Sequence, residues 1–223
     1  IGDTHVVDRL IASLKYNPMG VYTLVKIGAP AVGPLISALE NIYIKEKIID
    51  ALGQIGDARA VNALIIELDG REKYSAAKAL VKIGAPAVEP LIALIKDQCN
   101  HVIIDALGEI GDPRAVCPLI KALEFISIRR AVIMALGQIG DPRAVDAIIE
   151  AFAFRDEKVR RCAADALVRI GNPAVNSLGV ALKDAAISED AAKVLVKIGL
   201  KNSRRPSLSR SISIGRYLHI SGL

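Results

Sequence analysis

An Ile-Gly pair recurs along most of this chain, with its glycine at positions 2, 28, 56, 84, 111, 140, 171 and 199 and spacings of 26 to 31 residues. A period near 28 that returns this often marks a chain built from stacked copies of one small unit. Each glycine ends one apolar-periodic segment and opens another, as in IIDALGQIGDARAVNALIIEL (48–68) and VIMALGQIGDPRAVDAIIEAF (132–152). Glycine after the last apolar residue supplies the left-handed backbone that closes a helix. Asp57, Asp112, Asp141 or Asn172 then offers an N-cap oxygen to the next helix. Proline at 113, 142 and 173 fits the first helical position, where its missing N–H costs nothing.

The turn comes in two lengths: IGDxRAV at 55, 110 and 139, and the shorter IGAPAV at 27 and 83 with IGNPAV at 170. The shorter form drops one residue together with the arginine. Pro34, Pro90 and Pro118 predict a tightened or bent first turn in the second helix.

Second helices carry apolar residues at i, i+3, i+4 and i+7, as in Val61, Leu64, Ile65 and Leu68, and first helices repeat this in Ile48, Ala51, Leu52 and Ile55. The Ala and Gly positions of the first helices predict close neighbours, at roughly 8–10 Å between axes. One helix pair has nowhere to bury both stripes, whereas stacked pairs share a continuous core. The expectation is an all-α solenoid of about seven two-helix repeats and about fourteen helices. It starts with a half-repeat at 4–15, ends near 198, and occupies residues 1–200, with 201–223 a separate basic, Ser-rich tail.

Composition agrees: hydrophobic residues make up 52% of the chain and aromatics only 4%, so the core is Ala, Val, Ile and Leu. The net charge of +5 belongs to the tail. Five of the 29 Lys and Arg residues lie in 201–223, leaving 24 against the 24 Asp and Glu residues of the body. The high pI therefore says nothing about the folded face. No membrane-length apolar run and no signal-peptide pattern are present, which leads to the expectation of a cytoplasmic protein with no membrane partner. The chain opens at Ile1 rather than at methionine, which points to missing upstream sequence. Cys99, Cys117 and Cys162 lie in helical patterns without metal-type spacing and read as buried thiols.

The run ALGQIGDPRAVDAIIEAF, with DEKVRRCAADALVRIG in the following repeat, resembles the short HEAT-like repeats first associated with phycobilisome lyase subunits. That resemblance covers 1–200 and implies a right-handed α-α superhelix. It also implies ladders between repeats from the turn residues Asp57 with Arg59, Asp112 with Arg114 and Asp141 with Arg143, with Asp3 and His5 matching in part. The turns at 28, 84 and 171 lack the arginine, so only the neighbours at 111 and 140 offer a direct pair.

Proteins of this repeat type include scaffolds, phycobilin lyase subunits and deoxyhypusine hydroxylase. The last needs paired His-Glu motifs to converge on two irons. Only His5, His101 and His219 occur here and none precedes Glu, which excludes that activity. Cys99 and His101 read as a packed thiol and a solvated imidazole rather than zinc ligands. The single glycines of the turns do not form a phosphate loop. The basic run Lys158, Arg160, Arg161 and Arg169 is diluted by Asp156, Glu157 and Asp165, and Arg129 and Arg130 beside Phe125 are ordinary surface. No catalytic residue, metal or cofactor is therefore assigned, and the reading leans away from an enzyme.

The resemblance further implies that second helices line a concave face. Counted from the turn glycine, the first row of that face is Asp8, Gly33, Asn62, Glu89, Cys117, Asp146 and Asn176. One turn later come Ala12, Ser37, Ile66, Ala93, Lys121, Glu150 and Val180. Small, partly apolar and mildly acidic, these rows suit a protein or peptide with apolar and basic residues better than nucleic acid. The tail is one such segment: Arg204, Arg205, Arg210 and Arg216 are expected to meet Glu89, Asp146 and Glu150 of the same chain or of a neighbour. Three functions follow in order: a protein-interaction scaffold, a phycobilin-lyase-type subunit acting on a chromophore-bearing protein, and a nucleic-acid-binding repeat protein.

Overall fold

The structure is a computed structural model that describes residues 4–17, 19–95 and 100–203. Its described residues form an all-α solenoid. In chain order the helices are α1 (Thr4–Ser13), α2 (Gly20–Ile27), α3 (Val32–Ser37), α4 (Lys45–Ile55), α5 (Val61–Ile66), α6 (Lys73–Ile83) and α7 (Ala85–Leu94). They continue as α8 (His101–Ile110), α9 (Val116–Ala122), α10 (Arg129–Ile139), α11 (Val145–Glu150), α12 (Glu157–Ile170), α13 (Val175–Ala181) and α14 (Ser188–Ser203). Even-numbered helices are the first members of their pairs and pack on one another in sequence, and odd-numbered helices form the second row. The buried set is one continuous cluster from Val7 to Ile198 in which every residue is apolar, as stacked stripes require.

Six turn glycines have positive φ, but in two conformations. Gly56, Gly111 and Gly140, at the long turns, sit in the left-handed helical region with ψ of 15 to 18°. Gly28, Gly84 and Gly171, at the short turns, combine φ of 73 to 79° with ψ of −130 to −135°. In the short turn the glycine both closes one helix and caps the next, which demands this second conformation. Asn172 consequently does not serve as the expected cap: its Oδ1 accepts from Asn202 Nδ2 at 2.6 Å. Asp57, Asp112 and Asp141 do cap, each accepting from the backbone N–H two residues on at 2.9 Å.

A tightened 3-10 turn follows most of the turn glycines and is not tied to Pro34, Pro90 and Pro118. It is present in the repeat of Val61, which has no such proline, while α7 runs as a continuous helix through Pro90. It is marked by an i to i+3 bond from the alanine of the turn, such as Ala60 N–H to the Asp57 carbonyl at 3.1 Å and Ala144 N–H to that of Asp141 at 3.1 Å.

The turn arginines join repeats in an unexpected way. Each is bidentate to the aspartate of its own turn, with the shorter bond 2.7 Å long. Each also donates to a backbone carbonyl of the preceding turn: Arg59 to Ala29 at 2.8 Å, Arg114 to Ala85 at 3.0 Å and Arg143 to Pro113 at 2.9 Å. A carbonyl acceptor needs no matching aspartate, so the staple also forms onto turns of the short type. These arginines are structural. The Arg59 guanidinium and backbone N–H hold the Asp57 carboxyl at about 2, and Arg114 and Arg143 depress Asp112 and Asp141 in the same way.

A carboxyl whose folded value lies below its unfolded value of roughly 4 stabilises the fold above that pH and loses the contribution as pH falls toward the folded value. Arg59→Gln, which removes the guanidinium but keeps the backbone N–H, is expected to raise the Asp57 value toward the ordinary carboxylate range and to raise the pH of acid unfolding. Carboxyl-carbon NMR titration and acid circular dichroism measure the two effects, and an unchanged Asp57 titration in the variant would sink the staple.

The first helices are not evenly spaced. A Cβ built on Gly53 would lie 2.7 Å from the Ala79 Cα, one on Gly108 2.8 Å from that of Ala135, and one on Gly137 2.7 Å from that of Ala166. Backbones therefore meet where the third residue before the turn glycine is itself glycine. Val25, Val81 and Val168 hold that place in the repeats with short turns, half-buried, and there the first helices stand further apart. The stack thus has a wide junction from α2 to α4, a close one from α4 to α6, a wide one from α6 to α8, two close ones through α10 to α12, and a wide one to α14.

Two further expectations are corrected. Gly199 does not end a helix near 198; α14 continues through it to Ser203, because Leu200 stands where the other repeats have their turn. Lys201 Nζ, donating to the Val168 carbonyl at 3.0 Å, holds that extra turn. Cys117 is exposed rather than buried, whereas Cys162 is partly buried and burial pushes its thiol up.

Candidate functional site

Second helices are only six to ten residues long, so each can present two turns of surface. Val32, Leu35, Val61, Leu64, Val88 and Leu91 turn inward, and this fixes which side chains point out. All fourteen positions counted from the turn glycines are exposed, from Asp8 to Asn176 in the first row and from Ala12 to Val180 in the second. The apolar members stand well clear of the core, with Ile66 74% and Val180 67% exposed.

Asp8, Glu89, Asp146 and Glu150 against Lys121 leave these rows acidic, as expected. Glu89 lies 3.6 Å from Arg114 Nη1, an exposed pair that solvent weakens. What the surface offers is shape and charge: small residues, two exposed aliphatic side chains and scattered carboxylates. Arg204, Arg205, Arg210 and Arg216, the expected contacts of the tail, lie outside the described residues, as do Cys99 and Asp3.

The opposite face carries a pattern that lies outside the apolar stripes. Counting back two, six and ten residues from each turn glycine picks out exposed polar columns on the first helices. The second column reads Tyr22, Asp50, Lys78, Asp105, Met134, Asp165 and Lys193, and its signs alternate between repeats for much of its length. The column two before the glycine reaches back to it: Lys82 Nζ lies 2.9 Å from Asp50 and Lys197 Nζ 3.7 Å from Asp165. Along the two successive close junctions a shallow depression is lined by Gly108 and Gly137 and edged by Glu109, Gln138 and Arg169. The same backward count from the glycine would have found this column.

A second missed feature is aromatic. Tyr16, Tyr22, Tyr43 and Tyr74 are all exposed, and Lys15 Nζ sits 5.3 Å from the Tyr16 ring and 5.1 Å from that of Tyr43, linking two successive loops. Two of the basic residues named in the sequence have local tasks instead. Arg129 donates to the Leu123 carbonyl at 2.8 Å and its guanidinium lies 3.9 Å from the Phe154 ring centroid, and Arg160 donates to the carbonyls of Phe154 and Arg155. Among the described residues no single helix is long and apolar enough to cross a membrane.

Residues 44–70, 72–97 and 101–125 match the PBS lyase HEAT-like repeat family, and residues 117–200 match HEAT repeats. The chain is 32% identical over 149 residues to the phycocyanobilin lyase subunit alpha of Picosynechococcus sp., covering 59% of this chain and 51% of that protein. It therefore spans about half the length of the curated relative it matches. Among solved structures it is similar to the complex of CpcE and CpcF of phycocyanin lyase from Nostoc sp., at 23% identity and a TM-score of 0.41, covering 86% of this chain and 92% of that one. Human deoxyhypusine hydroxylase gives 18% identity and a TM-score of 0.41, covering 88% and 96%. The lean away from an enzyme finds no support in the lyase likeness.

Proposed function

We propose that this chain, three stretches of which match the PBS lyase HEAT-like repeat, is a protein-binding repeat subunit of the bilin-lyase type, holding a chromophore-bearing protein against its second-helix face. The observation that carries the reading is its 32% identity to a phycocyanobilin lyase subunit. Fourteen exposed positions in register along the second helices support a long contact with another protein rather than a pocket for a free small molecule.

The test combines the purified chain with an apo-phycobiliprotein and free phycocyanobilin, with and without a second lyase subunit. A red-shifted, protein-attached absorbance band is the expected result. Pull-down of the apo-protein without any change in bilin absorbance would favour the second reading, a scaffold without chemistry, which the acidic and apolar character of the second-helix rows supports equally. Recovery of neither would remove both.

The face is tested by substitution. Ile66→Asp together with Glu150→Lys is expected to weaken capture of the partner about tenfold or more, since the first buries an unpaired charge at the contact and the second reverses a charge of the acidic row. Lys78→Glu with Met134→Asp, on the first-helix face, is the comparison pair. Loss of capture in that pair instead would move the binding surface to the first helices.

A further inference from the structure

The exposed columns of the first helices neutralise themselves toward both ends of the stack but not in its middle. Asp50 accepts from Gln54 Nε2 at 2.8 Å and pairs with Lys82 at 2.9 Å. Toward the other end Lys193 lies 2.6 Å from Glu189, and Lys197 3.7 Å from Asp165. On α8, by contrast, Asp105 and Glu109 form no ion pair or side-chain hydrogen bond with any described residue, and neither do Arg130 of α10 and Arg161 and Arg169 of α12. Partial burial, which outweighs the charge of His101, pushes the Asp105 carboxyl up, the mark of a carboxylate short of counter-charge. Between acidic α8 and the arginines of α12, the same two columns of α10 hold Met134, 49% exposed, and Gln138.

The backbones of α8, α10 and α12 touch, whereas α9, α11 and α13 stand further apart, so the stack bends here toward its first helices. This reverses the expectation that second helices line the concave side. The depression along Gly108 and Gly137 lies on this inner side and runs across the helices, from Glu109 past Gln138 to Arg169. Neighbouring axes about 8–10 Å apart place α8 and α12 about 16–20 Å from each other. About five or six residues of extended chain cover that distance, at roughly 3.3 Å each. Halfway along, the Gln138 amide offers both a donor and an acceptor, and no described residue takes either. An extended main chain needs such partners, whereas a helix satisfies its own.

We propose that the first-helix face across α8, α10 and α12 binds an extended segment of a partner protein that lays a basic residue on Asp105 and Glu109, an apolar one on Met134 and an acidic one on Arg169. The charge order of the surface selects this occupant. A wholly basic segment would oppose Arg169, and a wholly acidic one would meet Asp105 and Glu109. Residues 204–223 contain no acid, so the chain's own tail does not fit. The partner is a protein other than the one assigned to the second helices, and nothing in this contact requires a bilin, so it stands or falls apart from the lyase reading.

The probe is the end-blocked peptide Lys-Ser-Thr-Leu-Ser-Thr-Glu, titrated into the isotope-labelled full chain and followed by amide NMR. Saturable shifts are expected at Gly108, Gly137 and the Gln138 side-chain amide, and peptides with Lys at both ends or Glu at both ends should bind at least threefold more weakly. Glu109→Arg is expected to turn the preference to the peptide with Glu at both ends, and Arg169→Glu to that with Lys at both ends. A general loss of structure does not produce opposite switches. Should either reversal lower the helix signal in circular dichroism, Glu109→Gln or Arg169→Gln replaces it and is expected to erase the preference at its own end only. Absence of saturable shifts, shifts confined to the second helices, or the parent's preference kept in both variants overturns the proposal.

Discussion

Gly137→Val is expected to destabilise the protein by about 3 kcal/mol, the upper part of the usual range for overpacking a tight interior. The new Cβ would lie 2.6 Å from the Ala166 Cβ and 2.7 Å from its Cα, and a backbone atom has no rotamer through which to retreat. The only relief is to part α10 from α12, which opens the core on both sides. Val81→Ala, at the equivalent position of a wide junction, removes two methyl groups from a half-buried site and is expected to cost only about 1 kcal/mol. Because each repeat touches only its neighbours, the damage should be local. Amide exchange is expected to accelerate first in α12 and α14 of the Gly137 variant while α4 and α6 keep their protection. Equal urea midpoints for Gly137→Val and the parent chain would refute the close junction.

The second large effect separates the two turn conformations. Gly84→Ala places a side chain at φ 77° and ψ −130°, a region that side-chain-bearing residues almost never occupy, at an expected cost of about 3 kcal/mol. Gly56→Asn places one at φ 73° and ψ 18°, the left-handed helical region that asparagine tolerates, and should cost under about 1 kcal/mol. Neither added Cβ meets a severe contact, so the difference measures backbone conformation alone. Thermal and urea unfolding of the pair give the comparison. Similar losses in both variants would mean that the two turns are not distinct.

Much of this was legible in the sequence because it is written in residue types that do one thing. The glycine of each repeat fixes the register, and the aspartate two residues before the turn arginine announces a cap. From those two marks the exposed second-helix rows follow by counting. The arginine staples were not legible as such, because their acceptors are backbone carbonyls, which carry no residue identity. Asn172 misled for a related reason: its side chain is that of a capping residue, but the shorter turn moves the cap onto Gly171. The uneven spacing of the first helices was present in the letters, as LGQIG against LVKIG, but its meaning depends on which neighbour each glycine or valine faces. The identity of the partner is recorded in no residue of this chain.

The uneven junctions also decide how the molecule yields to force. Between α8, α10 and α12 the backbones touch, and sliding or tilting one helix there drives atoms directly into its neighbour. At the α6 to α8 and α12 to α14 boundaries valine side chains lie between and keep the backbones apart, so small shifts of one helix are taken up by side-chain contacts instead of backbone atoms. The stack is therefore expected to act as a jointed arm rather than a uniform spring, the close-packed block of α8, α10 and α12 lying between looser boundaries, with α2 to α4 a further one. A load applied at both ends should change the angles at residues 81–84 and 168–171 and leave the shape of the middle intact.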